Sequence, residues 1–64
     1  MREVIIGDFV ETIDNVNGIL SEVRRGYNGS VAFIATSDMR IFYCPISHLK
    51  NCVYVGKVKE PIKS

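Results

Sequence analysis

The 64-residue chain is poor in several residue types, and each shortage excludes a class of protein. It has only two cysteines, whereas secreted domains of this size usually carry about four to eight, so we expect reduced thiols. No apolar run approaches the ~20 residues of a membrane span, and MREVIIGD lacks the apolar length of a signal peptide. The sequence therefore predicts a cytoplasmic protein that does not enter a membrane.

Catalytic groups are equally scarce. The chain has one histidine, and none of its five glycines has the spacing of a phosphate-binding loop. A nucleophile needs a base within hydrogen-bond reach, so the only candidates are Cys44 or Cys52 with His48, and nothing marks either thiol as activated. A domain this small has little room for an enclosed pocket. We expect a protein that is not an enzyme and carries no cofactor.

The net charge of +1 hides an asymmetry along the chain. Residues 1–22 carry one basic and five acidic side chains, whereas residues 23–64 carry seven basic and two acidic ones. A chain of this kind can have one basic face, but its weak total charge gives no general electrostatic argument for nucleic acid. Composition is therefore neutral on that partner.

Hydrophobic residues, at 47 %, are plentiful enough for one packed domain. A domain of this length buries only ~60 % of the surface that its unfolded chain exposes, so its core is thin and a homo-oligomer would enlarge it. There is no internal repeat or linker. We predict a single domain over residues 1–58 and a frayed C-terminal tail over residues 59–64.

Residues 19–58 read as four strands divided by turn signals. Asn28-Gly29 predicts a two-residue hairpin turn, because both residues tolerate the positive φ that such turns need. The following run, SVAFIAT, is apolar on both alternate faces, as in a central strand, and MRIFYC and CVYVGKV are also extended. Pro45 ends the MRIFYC strand. The ISHL segment after it is long enough for a single 3-10 turn.

The segment DFVETIDNVNGILSEV has two readings. Its apolar residues recur at spacings of four and three, which on a helix would form one stripe. Against the helix, Asn15, Asn17 and Gly18 in a helix interior would together cost roughly 2 kcal/mol relative to alanine, and turns favour these residues. We predict strand, turn and strand here, which makes the chain all-β with about five strands. The alternative is an α+β chain in which a strand and a helix precede antiparallel strands.

The same region carries a family resemblance. GDFVETIDNVNGILSEV resembles the KOW-type opening of small SH3-like barrels, and the likeness extends into NGSVAFIA. It is similar to a family of short, functionally uncharacterised KOW-like proteins of Gram-positive bacteria. The resemblance implies one SH3-like barrel with a 3-10 turn before the last strand, where Pro45, Ser47 and Leu49 match a loose Pro-x-Ser-x-Leu pattern. The basic residues that many KOW domains carry around this glycine are absent at Gly18, so the resemblance does not carry RNA binding over directly. Because the family is functionally uncharacterised, the resemblance implies a fold and no catalytic residues.

The stretch CPISHLKNC places Cys44, His48 and Cys52 at equal spacing. On a continuous helix these three side chains would share one face and could hold zinc with water as the fourth ligand. Pro45 and the strand-like flanks IFY and VYV disfavour that helix, and no second histidine or Cys-x-x-Cys motif supplies a fourth protein ligand. We predict two small buried or edge thiols, a surface histidine and no metal site.

Binding is the remaining class of function. The candidate residues lie at strand connections and combine guanidinium forks with aromatic rings, which suit phosphates and stacked bases as well as protein hot spots. They are Arg24, Arg25, Tyr27, Arg40, Tyr43, His48 and Lys50. The plain alternative is that the tyrosines cover the edge of the core and the arginines are solvated. We expect a protein-interaction adaptor or regulator with an aromatic and basic groove. The second hypothesis is a KOW-like nucleic-acid or ribosome-associated binder.

Overall fold

The computed structural model describes residues 1–61, and these residues form strands and one 3-10 turn without an α-helix. The strands are β1 (Arg2–Val4), β2 (Phe9–Glu11), β3 (Asn17–Gly26), β4 (Gly29–Ala35), β5 (Ile41–Pro45) and β6 (Cys52–Tyr54). The 3-10 turn covers Ile46–His48, between β5 and β6. The predicted all-β class and the turn before the last strand are confirmed, and the α+β alternative is wrong.

Four of the strands form one antiparallel sheet in the order β2-β3-β4-β5, which curls into a half-barrel. The other two form a parallel pair, with Arg2 opposite Cys52 and Val4 opposite Tyr54. A bridge between Thr12 and Leu49 connects the end of β2 to the segment after the 3-10 turn. The sequence did not predict β1, because three residues are too short a run to show alternation.

The turn between β2 and β3 explains why residues 8–23 are not helical. The buried Thr12 hydroxyl accepts hydrogen bonds from the backbone N–H groups of Asp14 and Val16, at 3.2 Å each, which closes the turn. Asn15 within it has a left-handed φ of 63°. A side chain at Gly18 would collide with the backbone oxygen of Ala35, so glycine allows β3 and β4 to approach.

The hairpin between β3 and β4 is present, but its turn lies one residue earlier than predicted. Gly26 pairs with Gly29, so Tyr27 and Asn28 form the loop. Among residues 26–29 of this hairpin, only Gly29 has a positive φ, of 115°. One left-handed glycine directly after the loop serves this hairpin, whereas the predicted turn would have required two positive φ angles.

The core lies on the inner face of the half-barrel. Its buried side chains are those of Val4, Val10, Leu20, Val23, Ala32, Ile34, Cys44, Leu49 and Cys52. Leu20 and Val23 both point inward although they are three residues apart, because a bulge shifts the register between Leu20 and Glu22. The bulge therefore produces, inside a strand, the spacing that resembles a helical stripe.

The segment after β6 returns to β3. Lys59 donates its N–H to the Val23 oxygen and accepts the N–H of Arg25, both at 2.8 Å. It thereby occupies the edge of β3 beyond the end of β2. Of the tail predicted at residues 59–64, residues 62–64 lie outside the described residues. No helix within residues 1–61 has the length and apolar character needed to cross a membrane.

Candidate binding surface

The arginines of the predicted site on β3 are bound to carboxylates. The Arg24 guanidinium donates to both Glu22 carboxylate oxygens, at 3.0 and 3.1 Å, and to the Glu60 backbone oxygen at 3.0 Å. Arg25 lies 3.8 Å from the Glu60 carboxylate. The Glu22 carboxylate therefore neutralises Arg24 where the strand meets solvent.

The remaining predicted residues lie in separate places. Arg40 is paired with Asp38 at 3.3 Å in the turn before β5, and Tyr27 stands fully exposed at the tip of the β3–β4 hairpin. Nδ1 of His48 lies 3.1 Å from the Asp14 carboxylate, beside the β2–β3 turn. These groups therefore face different regions of solvent.

The seven predicted residues do not line one groove. Arg25 and Tyr27 lie at one end of β4 and Arg40 lies at the other, and a strand of seven residues spans roughly 20 Å. Lys50 follows the 3-10 turn and donates its backbone N–H to the Glu11 oxygen. Tyr43 alone lies in the middle of the sheet, on β5.

Tyr43 belongs to a larger apolar surface on the convex side of the sheet, which we call the outer face. Because directly opposed residues of an antiparallel sheet point to the same side, the register defines its members. They are Phe9, Ile19, Val31, Phe33, Ala35, Ile41, Tyr43 and Pro45. One row, Phe9, Ile19, Ala35 and Ile41, crosses all four strands. A second row begins at Glu22 and continues through Phe33 and Tyr43.

The outer face is open to solvent. Phe9 is 51 % exposed, Ile41 58 % and Tyr43 68 %. The Phe33 and Tyr43 rings pack in a tilted arrangement with centroids 6.0 Å apart. Within residues 1–61 no strand or turn covers this surface. Contiguous exposed apolar area of this kind marks interaction surfaces in soluble domains.

Sequence reasoning missed Phe9, Ile19, Phe33 and Ile41 as site residues, although a signal was present. The run SVAFIAT is apolar on both alternate faces, which indicates a central strand covered on both sides. The structure places Ala32 and Ile34 in the core, while the alternate residues of this run face solvent on the outer face. The second apolar face that the sequence pattern indicated is therefore present, but residues 1–61 do not cover it.

A shallow apolar hollow of about 270 Å³ adjoins the outer face at the hairpin end. Val31, Tyr43 and Pro45 line it together with the hairpin residues 28–30. A separate polar hollow of about 290 Å³ lies beside Phe9 and is lined by Arg2 and Lys50 among others. The first hollow suits an aliphatic side chain, whereas the second presents cationic groups.

Both cysteines belong to the buried core. Cys44 and Cys52 are free and buried, as predicted. Burial raises the pKa of the Cys44 thiol, and the negative charge of Asp14 raises it further. A thiol with a raised pKa stays protonated near neutral pH and is a poor nucleophile. Residues 1–61 contain no cluster of three histidine, cysteine or acidic side chains placed to bind a metal ion.

Comparisons of this chain with protein-family models, curated proteins and solved structures found no match. The KOW-like resemblance therefore stays a prediction.

Proposed function

We propose that this chain is a small non-catalytic binding module, an adaptor or regulator, that takes a protein partner on its outer face. The observation that carries the proposal is the uncovered row from Phe9 to Ile41, which crosses all four strands of the sheet. Burial of apolar surface is worth about 25 cal/mol per Å², so covering this row with an apolar partner is favourable.

The charges beside the outer face support a protein partner. Glu22 and Arg24 on β3 point to this side of the sheet and neutralise each other. A phosphate group would have to displace the Glu22 carboxylate before it could bind Arg24. A partner with an apolar, uncharged centre meets no such competition.

Nucleic-acid binding is the second candidate, and the polar hollow beside Phe9 favours it. Arg2 and Lys50 line this hollow, and neither forms an ion pair with any residue between 1 and 61. The Arg2 guanidinium donates to the Phe9 backbone oxygen at 2.7 Å, which holds it beside this exposed ring. Cations beside an exposed aromatic ring are a combination that binds single strands. This site is smaller than the outer face and also includes Glu11, which repels phosphate.

The test is affinity capture from a bacterial lysate with the tagged chain, its Phe33→Lys variant and its Tyr27→Lys variant. Both substitutions add the same charge, but Phe33 lies on the outer face and Tyr27 on the hairpin tip. We expect to capture a protein that stays bound after nuclease treatment and at high salt. Its recovery should fall about tenfold or more with Phe33→Lys and stay unchanged with Tyr27→Lys. Circular dichroism of each variant checks that the fold persists.

Other outcomes separate the alternatives. Material removed by nuclease, weakened about tenfold between 50 and 200 mM salt, and lost with Lys50→Ala would support the nucleic-acid candidate. Loss with Tyr27→Lys and retention with Phe33→Lys would return the site to the hairpin groove predicted from the sequence.

A further inference from the structure

The outer edge of β5 is an unpaired strand edge. The strand order β2-β3-β4-β5 places β5 last, and no other segment of residues 1–61 hydrogen bonds to its outer side. The opposite edge of the sheet is closed, because Ile13 donates to the His48 oxygen and Lys50 donates to the Glu11 oxygen. An open edge is a template for pairing with another strand.

The hairpin register identifies which backbone groups face outward. Thr36 donates its N–H to the Arg40 oxygen, and bonded and non-bonded pairs alternate from there along an antiparallel ladder. Phe42 and Cys44 therefore bond to β4, whereas the backbone groups of Ile41, Tyr43 and Pro45 face outward. The Ser21 hydroxyl supports this assignment, because it donates to Phe33, whose oxygen must then point towards β3.

Proline at position 45 fits the same alternation. It has no N–H, and at this position an N–H would point away from β4. The β4–β5 ladder therefore loses no hydrogen bond. The edge thus offers N–H groups at Ile41 and Tyr43, and oxygens at Ile41, Tyr43 and Pro45.

We propose that β5 pairs antiparallel with β5 of a second copy of this chain, about a two-fold axis at Tyr43. Tyr43 is the central residue of the five-residue strand, so this register overlaps the strand with itself completely. The two Tyr43 residues exchange both of their hydrogen bonds across the axis. The N–H of Ile41 in each copy reaches the oxygen of Pro45 in the other, and every outward N–H has a partner.

The side chains complement one another in this register. Ile41, exposed on the outer face, comes opposite Pro45 of the second copy, beside the apolar hollow that Val31 and Tyr43 line. The two-fold axis repeats the contact, as an isologous interface requires. The sheets join through β5, and the two outer faces become one continuous surface. Ile41 and Tyr43 belong to the outer face as well as to this edge, so the two proposals are separated at Phe33, which lies on β4 and has no backbone group at the edge.

Cysteine cross-linking tests the register directly. In the proposed dimer the two Tyr43 Cα atoms are about 5.5 Å apart, within disulfide range, so a Tyr43→Cys variant forms a covalent dimer under mild oxidation. The control is Ile41→Cys in the same strand, whose symmetry-related positions lie roughly 13 Å apart and cannot be bridged. The wild-type chain, with its buried Cys44 and Cys52, is oxidised alongside.

Sedimentation equilibrium of the wild-type chain provides the second readout. We expect the mass to rise from monomer towards dimer with concentration. Tyr43→Pro removes the outward N–H without touching the β4 ladder and abolishes the dimer, whereas Tyr43→Val keeps that N–H and the dimer. A monomer at about 1 mM, or equal cross-linking of both cysteine variants, would overturn the proposal. The proposed function is tested separately by partner capture with Phe33→Lys, whose mass in the same sedimentation experiment should still rise towards dimer because Phe33 has no backbone group at the edge.

Discussion

The two faces of the β3-β4-β5 sheet are built from similar residues and have opposite environments. The inner face carries Leu20 and Ile34, both fully buried, while Ile19 and Phe33 on the outer face are partly exposed. Alternation along a strand assigns residues to faces, but it does not say which face the rest of the chain covers. In this chain the second apolar face has no cover within residues 1–61, so its apolar residues contribute less to stability than those of the inner face.

The sharpest test of this comparison uses neighbouring residues of β3. Leu20→Ala removes a fully buried side chain and should lower the free energy of unfolding by about 3 kcal/mol, including the cost of the cavity. Ile19→Ala should lower it by less than about 1 kcal/mol, because Ile19 already contacts water. Urea unfolding of the three proteins measures both values. Equal losses at the two positions would mean that the outer face is covered in solution.

A second test adds a group to the inner face. Gly18→Ala should cost about 1–3 kcal/mol, because the new methyl group meets the Ala35 backbone oxygen and the Ile34 side chain, and backbone cannot yield locally. Asn17→Ala, at an exposed neighbouring position, is the control and should change stability by less than about 0.5 kcal/mol. The melting temperature is the readout. A neutral Gly18→Ala would show that β3 and β4 pack less closely than described.

The smallest expected change in stability comes from the titration of the Cys44 thiol, which lies on the inner face. Because the pKa of Cys44 is raised in the folded state, the unfolded chain loses its thiol proton first as the pH rises. Stability should therefore fall above the ordinary thiol pKa of about 8.5, and this fall should be smaller in Cys44→Ala. Unfolding midpoints at several pH values between 7 and about 10 measure the difference. Parallel curves for the two proteins would contradict the burial of this thiol.

The strands after residue 19 were predictable because their signals are local. Apolar alternation, Pro45 and the short ISHL segment are each sufficient to place a strand or a turn. The bulge at Ser21 was not predictable, since one extra residue in β3 gives Leu20 and Val23 a helical spacing. The parallel pairing of β1 with β6 joins residues distant in sequence, and a local pattern carries no information about it.

The candidate site was less predictable than the fold. The sequence suggested Arg24 and Tyr27 because arginine and tyrosine occur there at a strand connection. Only the structure shows that Arg24 is paired with Glu22 and that Tyr27 stands exposed at a hairpin tip. The outer face consists of aliphatic and aromatic residues that sequence reasoning assigns to a core. Only the register of four strands shows that these residues lie together and uncovered.

The parallel pair of β1 and β6 has a consequence for the order of events during synthesis. The strand at Arg2–Val4 is synthesised before its partner at Cys52–Tyr54, and all four strands of the other sheet lie between them in the sequence. Closing a loop of about fifty residues is slow compared with forming the hairpins between them. We expect the β2-β3-β4-β5 meander to form while β1 is still unpaired. A chain shortened before Cys52 would therefore keep its hairpins and leave β1 without a partner strand.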